Sequence, residues 1–68
     1  MRLRINGEER EYTGAPSLPA LLRELGLDPA APGVAVAVNA RVVPRREFEA
    51  TSLAEGDRIE VVRAVQGG

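Results

Sequence analysis

The chain contains no cysteine and no histidine. Without cysteine, neither a disulfide framework nor a thiolate metal site can hold a small fold together. Without histidine, the chain lacks the side chain most used for acid–base catalysis near neutral pH. The absence of cysteine also removes the best protein nucleophile. These two absences count against an enzyme that carries out covalent chemistry with its own side chains.

The chain is also short. Its 68 residues suffice for one domain, and a domain of this size buries only about 60% of the surface of its unfolded chain. An enclosed ligand pocket typically needs about 300 Å³ or more, for which such a body has little room. We therefore predict that the protein is not an enzyme, holds no metal and binds no cofactor itself.

Lysine is absent too, so all nine cationic residues are arginines, against ten acidic residues. A net charge of −1 gives no electrostatic reason to expect nucleic acid, which is bound by clustered cations. The longest apolar run, residues 34–38, is far shorter than the roughly 20 residues of a membrane span. No signal peptide is recognisable. We expect a cytoplasmic protein without nucleic-acid or membrane partners, and a monomer when free.

The first half of the chain predicts a β-hairpin followed by a helix. Asn6-Gly7 fits a type I′ turn between an alternating strand and a polar returning strand over residues 8–13. Ser17 is placed to cap the helix, and Gly26 to end it in a left-handed turn. Four leucines at helical spacing form one apolar stripe. They are Leu18, Leu21, Leu22 and Leu25.

The second half predicts three more strands. Residues 34–38 are apolar on both faces, which favours a strand covered on both sides. A short strand at residues 42–43 ends at Pro44, residues 45–53 form an irregular connection with Phe48 and Leu53 inward, and residues 58–62 alternate again. The order β-β-α-β-β-β predicts an α+β roll in which one main helix packs on a mixed sheet of four to five strands. This is the β-grasp (ubiquitin-like) arrangement, with the last strand in the middle.

The last residues depart from the strand pattern. We divide the chain into a β-grasp domain over residues 1–63 and a flexible C-terminal diglycine tail over residues 64–68. A terminal segment gains few contacts to offset about 1–2 kcal/mol per residue of backbone ordering. Two terminal glycines arise by chance in about 0.5% of chains, so the tail alone leaves a functional role and a frayed end both open.

A terminal diglycine has a possible chemistry. Coupling to AMP would turn the α-carboxylate of Gly68 into an acyl-adenylate that a sulfur, nitrogen or oxygen nucleophile can attack. Glycine has no Cβ, so Gly67 and Gly68 could pass through a narrow channel into the active site of another protein.

Two segments of the second half carry a family resemblance. Residues 34–48 read VAVAVNARVVPRREF, and residues 55–68 read EGDRIEVVRAVQGG. They resemble the sulfur-carrier protein of thiamine biosynthesis, the ThiS family of ubiquitin-like β-grasp proteins, and the resemblance covers essentially the whole chain. The Val-Pro-Arg segment joined to a terminal diglycine is more specific than the Gly-Asp hairpin, which recurs in other small β modules.

The resemblance implies a carrier on which other proteins act. A ThiF-like adenylating enzyme would use ATP and Mg²⁺ to form the acyl-adenylate on Gly68. Sulfur that comes indirectly from a cysteine desulfurase would convert it into a thiocarboxylate, and thiazole synthase would consume that sulfur. The residues implied in tail threading and partner contact are Gly67, Gln66, Val65 and Ala64. Candidates for the docking surface are the Ala35/Ala37 face and Val62, with Arg63 at the exit of the strand, although each could equally pack in the core.

Other functions stay open. The small subunit of molybdopterin synthase shares the fold, terminus and chemistry, although Val43-Pro44-Arg45 is not typical of it. A carrier for tRNA thiolation and a ubiquitin-like modifier of lysine amines are also compatible with the sequence. A small RNA-binding β-grasp or S4-like module would share the EGDRIEV hairpin, but near-zero net charge and only two aromatic residues, Tyr12 and Phe48, argue against it.

Overall fold

The computed structural model describes residues 1–64. Residues 65–68, which include the two terminal glycines and most of the predicted tail, lie outside the described residues. The described part contains five strands, one α-helix and one 3-10 helix. They are β1 (Arg2–Ile5), β2 (Glu8–Glu11), α1 (Leu18–Glu24), β3 (Val34–Val38), β4 (Arg41–Val43), the 3-10 helix (Arg45–Glu47) and β5 (Arg58–Arg63).

The strands form one mixed sheet in the order β2-β1-β5-β3-β4. The last strand, β5, lies in the middle, parallel to β1 and antiparallel to β3. The hairpins β1–β2 and β3–β4 are antiparallel and flank it. This topology confirms the predicted β-grasp roll, including the central position of the last strand.

The first hairpin turns where the sequence predicts it. Ile5 pairs with Glu8, so Asn6 and Gly7 form a two-residue loop, and both have positive φ, as a type I′ turn requires. The Asn6 side chain also ties this turn to the central strand, since its Oδ1 accepts from the Val61 amide at 2.8 Å. β2 ends at Glu11, two residues before the predicted end of the strand.

The helix has the predicted caps. Ser17 Oγ accepts a hydrogen bond from the Ala20 amide at 3.2 Å, and a proline occupies the first turn. At the other end Gly26 has a φ of +82°, and the Leu27 amide donates to Leu22 O at 2.9 Å. This bond gives a carbonyl of the last turn a partner, as is common where a glycine ends a helix.

The core lies between the helix and one face of the sheet. Nine apolar side chains are buried there among the described residues, and Phe48 and Leu53 point inward as predicted. The nine are Leu3, Ile5, Leu18, Leu21, Leu22, Val36, Phe48, Leu53 and Ile59. The connection that carries Phe48 is not wholly irregular, because it begins with the 3-10 helix.

The prediction that β3 is covered on both sides is wrong. Val36 is buried, but Ala35 is exposed and Ala37 only half-buried. The helix packs on one face of the sheet, and alternate residues of a strand point to opposite faces. The valines of the Val-Ala alternation therefore face the core, and its alanines lie on the open face.

Asn39 and Asp57 join the β3–β4 turn to the turn that precedes β5. Asn39 Nδ2 donates to Asp57 Oδ1 at 2.9 Å, and Asn39 Oδ1 accepts from the Arg58 amide at 2.9 Å. The second carboxylate oxygen, Asp57 Oδ2, accepts from the Ala54 amide at 2.8 Å. The asparagine and aspartate of the two family-like segments thus have a structural role in this fold.

Replacing Asn39 with alanine should destabilise the domain by about 1–3 kcal/mol, since the Arg58 amide and the Asp57 carboxylate each lose a partner. Asn39 also has a φ of +50°, a conformation that strains alanine. Urea denaturation of Asn39→Ala measures the loss. Asn39→Gly is the matched control, because it removes the same amide without the backbone strain and should lie between Asn39→Ala and the unchanged chain. Unchanged stability in both variants would contradict the role assigned to this side chain.

Candidate functional site

The candidate site begins where the central strand ends. β5 runs through the middle of the sheet to Arg63, and the amide of Ala64 donates to Gly33 O at 2.7 Å. Ala64 is the one predicted tail residue that the structure describes, and it is exposed. The end of β5 therefore lies beside the loop that precedes β3. The other predicted tail residues, Val65, Gln66, Gly67 and Gly68, lie outside the described residues.

Gly33 allows a close approach at this point. Its φ is +84°, and a Cβ at this position would lie 3.2 Å from the carbonyl oxygen of Ala64. A side chain here would be strained by the backbone angle and crowded by the Ala64 backbone. The sequence alone gives no reason to connect Gly33 with the tail.

The loop in front of Gly33 is held by internal and external hydrogen bonds. Asp28 Oδ1 accepts from the Ala30 amide at 2.9 Å, and Asp28 O accepts from the Ala31 amide at 2.9 Å. From the 3-10 helix, Arg45 Nη2 donates to Ala31 O at 2.7 Å. The arginine of the Val-Pro-Arg segment thus holds the loop that ends at Gly33, next to Ala64. Ala64, the first residue of the predicted tail, is called the root of the tail below.

The open face of the sheet carries an apolar patch. Within the described part of the chain, the exposed large apolar side chains are those of Val42 and Val62, which are 71% and 61% exposed. Val62 pairs with Ala35 across β5 and β3, and Val42 pairs with Ala37 across β4 and β3. These four residues, Ala35, Ala37, Val42 and Val62, are called the outer patch below. Sequence reasoning named three of them as docking candidates and missed Val42, which it assigned only to a short strand.

Charged residues border the outer patch on the same face. Glu60 pairs with Ala37, and Arg58 precedes Glu60 by two residues on β5, so that both lie on the same face. Arg58 in turn pairs with Arg4 of β1. The patch is therefore apolar in its centre, with charges of both signs beside it, as in protein interfaces that have an apolar core and a polar rim.

Arg63 lies on the opposite face from Val62, because adjacent residues of a strand point to opposite sides of the sheet. It lines a groove together with Leu27, Pro32 and Val34, at the end of the sheet beside Ala64. The predicted surface that combined Arg63 with Val62 is thus divided between two faces. We assign Arg63 to the root of the tail and not to the outer patch.

Among residues 1–64, the two ionisable groups with a clear pKa shift belong to the β1–β2 side of the molecule. Burial and a hydrogen bond to Glu24 raise the pKa of Tyr12. A hydrogen bond from Arg2 to Glu11 raises the pKa of that guanidinium further above its usual value.

Within residues 1–64, no three acidic side chains gather where they could hold a metal ion. The same residues include no helix long and apolar enough to cross a bilayer.

A family model and two solved structures match this fold. The model of the ThiS family matches residues 3–68. A crystal structure of a thiamine biosynthesis protein (ThiS) from Geobacter metallireducens superimposes with a TM-score of 0.79 at 31% identity, over 100% of both chains. A solution NMR structure of a thiamine biosynthesis protein from Geobacter metallireducens gives a TM-score of 0.76 at 30% identity, over 100% of this chain and 88% of the other.

Two curated relatives are much longer. A thiazole synthase of Paramagnetospirillum magneticum is 40% identical over 68 residues, and so is a thiazole synthase of Magnetococcus marinus. Each match covers 100% of this chain and 20% of the relative. The chain thus spans about one fifth of the length of these relatives.

Proposed function

The chain belongs to the ThiS family, and from this premise we propose that it is a sulfur carrier of thiamine biosynthesis and not itself an enzyme. The observation that carries the proposal is that the family match extends through Gly67 and Gly68, as far as the group to be loaded. The β-grasp body in front of them has the fold of a ThiS structure along its whole length.

The proposed chemistry takes place at the carboxylate of Gly68, in a chain that ends at this residue. A carboxylate oxygen attacks the α-phosphorus of ATP on a ThiF-like adenylating enzyme, and pyrophosphate leaves. A hydrosulfide ion, which a thiol reductant releases from the persulfide of a cysteine desulfurase, then attacks the acyl carbon. AMP leaves with the former carboxylate oxygen, so the chain ends in a thiocarboxylate. ATP and Mg²⁺ belong to the activating enzyme in this scheme.

The contribution of the carrier is to present this carboxylate. The central strand β5 brings Ala64 to the end of the sheet, where its amide bonds to Gly33 O. The proposed docking surface is the outer patch on the neighbouring strands, because it has exposed apolar side chains with charges beside them. A carrier must leave one partner for the next, and a patch of four small or medium side chains suits a transient interface.

The outer patch can be tested with Val62→Asp. A buried, unpaired carboxylate is costly in an interface, so kcat/KM for loading by the adenylating enzyme should fall at least about tenfold, the loss expected of one central contact. The melting temperature should change little, because Val62 is 61% exposed. Ala50→Asp is the matched control, since it adds the same charge at an exposed position of the connection after β4. Equal loading rates for the two variants would exclude the patch as the docking surface.

The destination of the sulfur is proposed from the relatives. Two thiazole synthases contain a segment that is 40% identical to this chain, which supports thiazole formation over the acceptors used by other β-grasp carriers. We therefore propose thiazole synthase as the second partner.

The destination of the sulfur can be tested in a transfer assay with a chain that already carries the thiocarboxylate. The thiocarboxylate form is incubated with thiazole synthase, deoxyxylulose phosphate and a glycine-derived imine, and the loss of sulfur from the chain is followed by intact mass. Sulfur loss together with thiazole formation is the expected result. Sulfur transfer to the large subunit of molybdopterin synthase instead, under equal conditions, would contradict the thiazole assignment and leave the carrier chemistry standing.

A further inference from the structure

We infer that Gly33 and Arg45 are positioning residues for the loading of Gly68. They hold Ala64, the residue from which the segment to be loaded continues. The inference rests on the proposed function, since it concerns how that carboxylate reaches the activating enzyme. It arises from three contacts that connect the 3-10 helix, the loop before β3 and the end of β5.

The first contact is the hydrogen bond between Ala64 and Gly33. The Ala64 amide lies 2.7 Å from Gly33 O, and Val34 pairs with Arg63 next to it. The bond therefore extends the β3–β5 ladder by one residue beyond the end of the strand. It determines where the backbone of Ala64 lies relative to the sheet.

The second contact is steric. A Cβ on Gly33 would lie 3.2 Å from Ala64 O and 3.4 Å from Ala64 Cβ. Both atoms belong to Ala64, and the nearer one is backbone, so a side chain at Gly33 would require Ala64 to shift by a few tenths of an ångström. The absence of a side chain at Gly33 thus has a specific consequence for the path of the chain.

The third contact holds the loop itself. Arg45 Nη2 donates to Ala31 O at 2.7 Å, two residues before Gly33. The 3-10 helix thereby fixes the Ala31 carbonyl, and Phe48, which directly follows this helix, is buried in the core. Through Ala31, the guanidinium of Arg45 connects the position of Gly33 to the packed interior.

The position of Ala64 matters because the remaining segment is short. Residues 65–68 can extend at most about 14 Å from Ala64, at about 3.3–3.6 Å per residue. When the outer patch is bound to the adenylating enzyme, the position of Ala64 determines which part of the enzyme the segment over residues 65–68 can reach. A displacement of about 1 Å in a reacting group can lower a rate about a hundredfold. Gly33 and Arg45 should therefore affect the chemical step more than the binding of the partner.

Gly33→Ala tests this step, with Gly56→Ala as the matched control. Both glycines have a φ of +84°, so both substitutions carry the same backbone strain. A Cβ at Gly56 would meet nothing within 4 Å, whereas one at Gly33 meets Ala64. Two quantities are measured with the 68-residue chain: Kd for the adenylating enzyme by calorimetry, and the single-turnover rate of acyl-adenylate formation.

We expect Gly33→Ala to lower the single-turnover rate about three- to tenfold with Kd within about twofold. Gly56→Ala should leave both close to those of the unchanged chain. Equal rates for the two alanine variants would overturn the inference. In that case the unchanged chain would still be loaded, whereas a failure of the proposed function would appear as no loading of the unchanged chain at all.

Arg45→Met provides a second test that leaves Gly33 intact. It keeps the aliphatic length and removes the donor to Ala31 O, and Arg46→Met makes the same change at the adjacent exposed arginine. Arg45→Met should slow the single turnover severalfold without raising Kd, and Arg45→Lys, which retains a donor, should recover part of the rate. Equal single-turnover rates for Arg45→Met and Arg46→Met would overturn the role given to Arg45.

Discussion

Removal of Gly68 should abolish loading while the domain stays folded. The proposed reaction takes place at the carboxylate of this residue, so a chain that ends at Gly67 presents its carboxylate one residue, about 3.3–3.6 Å, short of the reacting position. The nine core side chains that are buried within residues 1–64 lie between Leu3 and Ile59, and the deletion removes none of them. ATP–pyrophosphate exchange with the adenylating enzyme measures the loss, and circular dichroism with thermal melting measures the fold.

The control for this deletion is Gly14→Ala, a change at a glycine whose added Cβ would meet nothing within 4 Å. It should retain pyrophosphate exchange. If the chain without Gly68 still supports exchange at the normal rate, the reaction does not take place at this carboxylate. If the deletion unfolds the domain, residues beyond the described core contribute to stability and the division at residue 64 is wrong.

Leu22→Ala should destabilise the domain by about 2–5 kcal/mol, since it removes a completely buried side chain and leaves a cavity beneath the helix. A 68-residue domain has a total stability of about 3–10 kcal/mol at the usual 0.05–0.15 kcal/mol per residue. The loss is therefore comparable with the whole stability, and a large fraction of the variant should be unfolded at 37 °C. Urea denaturation followed by circular dichroism gives the free energy of unfolding.

Val62→Ala is the matched control for the core variant. It also shortens an apolar side chain, but one that is 61% exposed, and surface changes of this kind stay within about 0.5 kcal/mol. A Leu22→Ala variant as stable as Val62→Ala would show that the leucine stripe is not the main apolar contact between helix and sheet.

Local rules account for most of the elements that the sequence predicted correctly. The helix ends follow from Ser17 and Gly26, whose side-chain and backbone preferences act within one turn. The first hairpin follows from Asn6-Gly7 in the same way. The order of the strands in the sheet does not follow from local rules. Its prediction required the order of the elements along the chain to be combined with the β-grasp arrangement.

The exposure of the open face was not predictable from residue type alone. The run over residues 34–38 is uniformly apolar, and hydropathy does not distinguish a strand covered on both faces from one covered on a single face. The difference depends on there being one main helix, which packs on the valines and leaves Ala35 exposed. The same limit explains why Val42 was missed, since its exposure depends on its pairing with Ala37.

The root of the tail depends on contacts between residues distant in sequence. Gly33 meets Ala64 across 31 residues, and Arg45 reaches Ala31 across 14. A glycine after a proline indicates only a turn, and an arginine after Val-Pro only a family resemblance. The first contact depends on the sheet register, which places residue 33 next to the end of β5.

The central claim, that sulfur is loaded on Gly68, can be tested most directly by the intact mass of the unchanged chain. The chain is incubated with a ThiF-like adenylating enzyme, ATP, Mg²⁺ and a sulfur source, and fragmentation then locates any change. The proposed function predicts the exchange of one oxygen for one sulfur, confined to the carboxylate of Gly68. An unchanged mass under conditions that load another ThiS-family carrier, or sulfur located at any other residue, would contradict it.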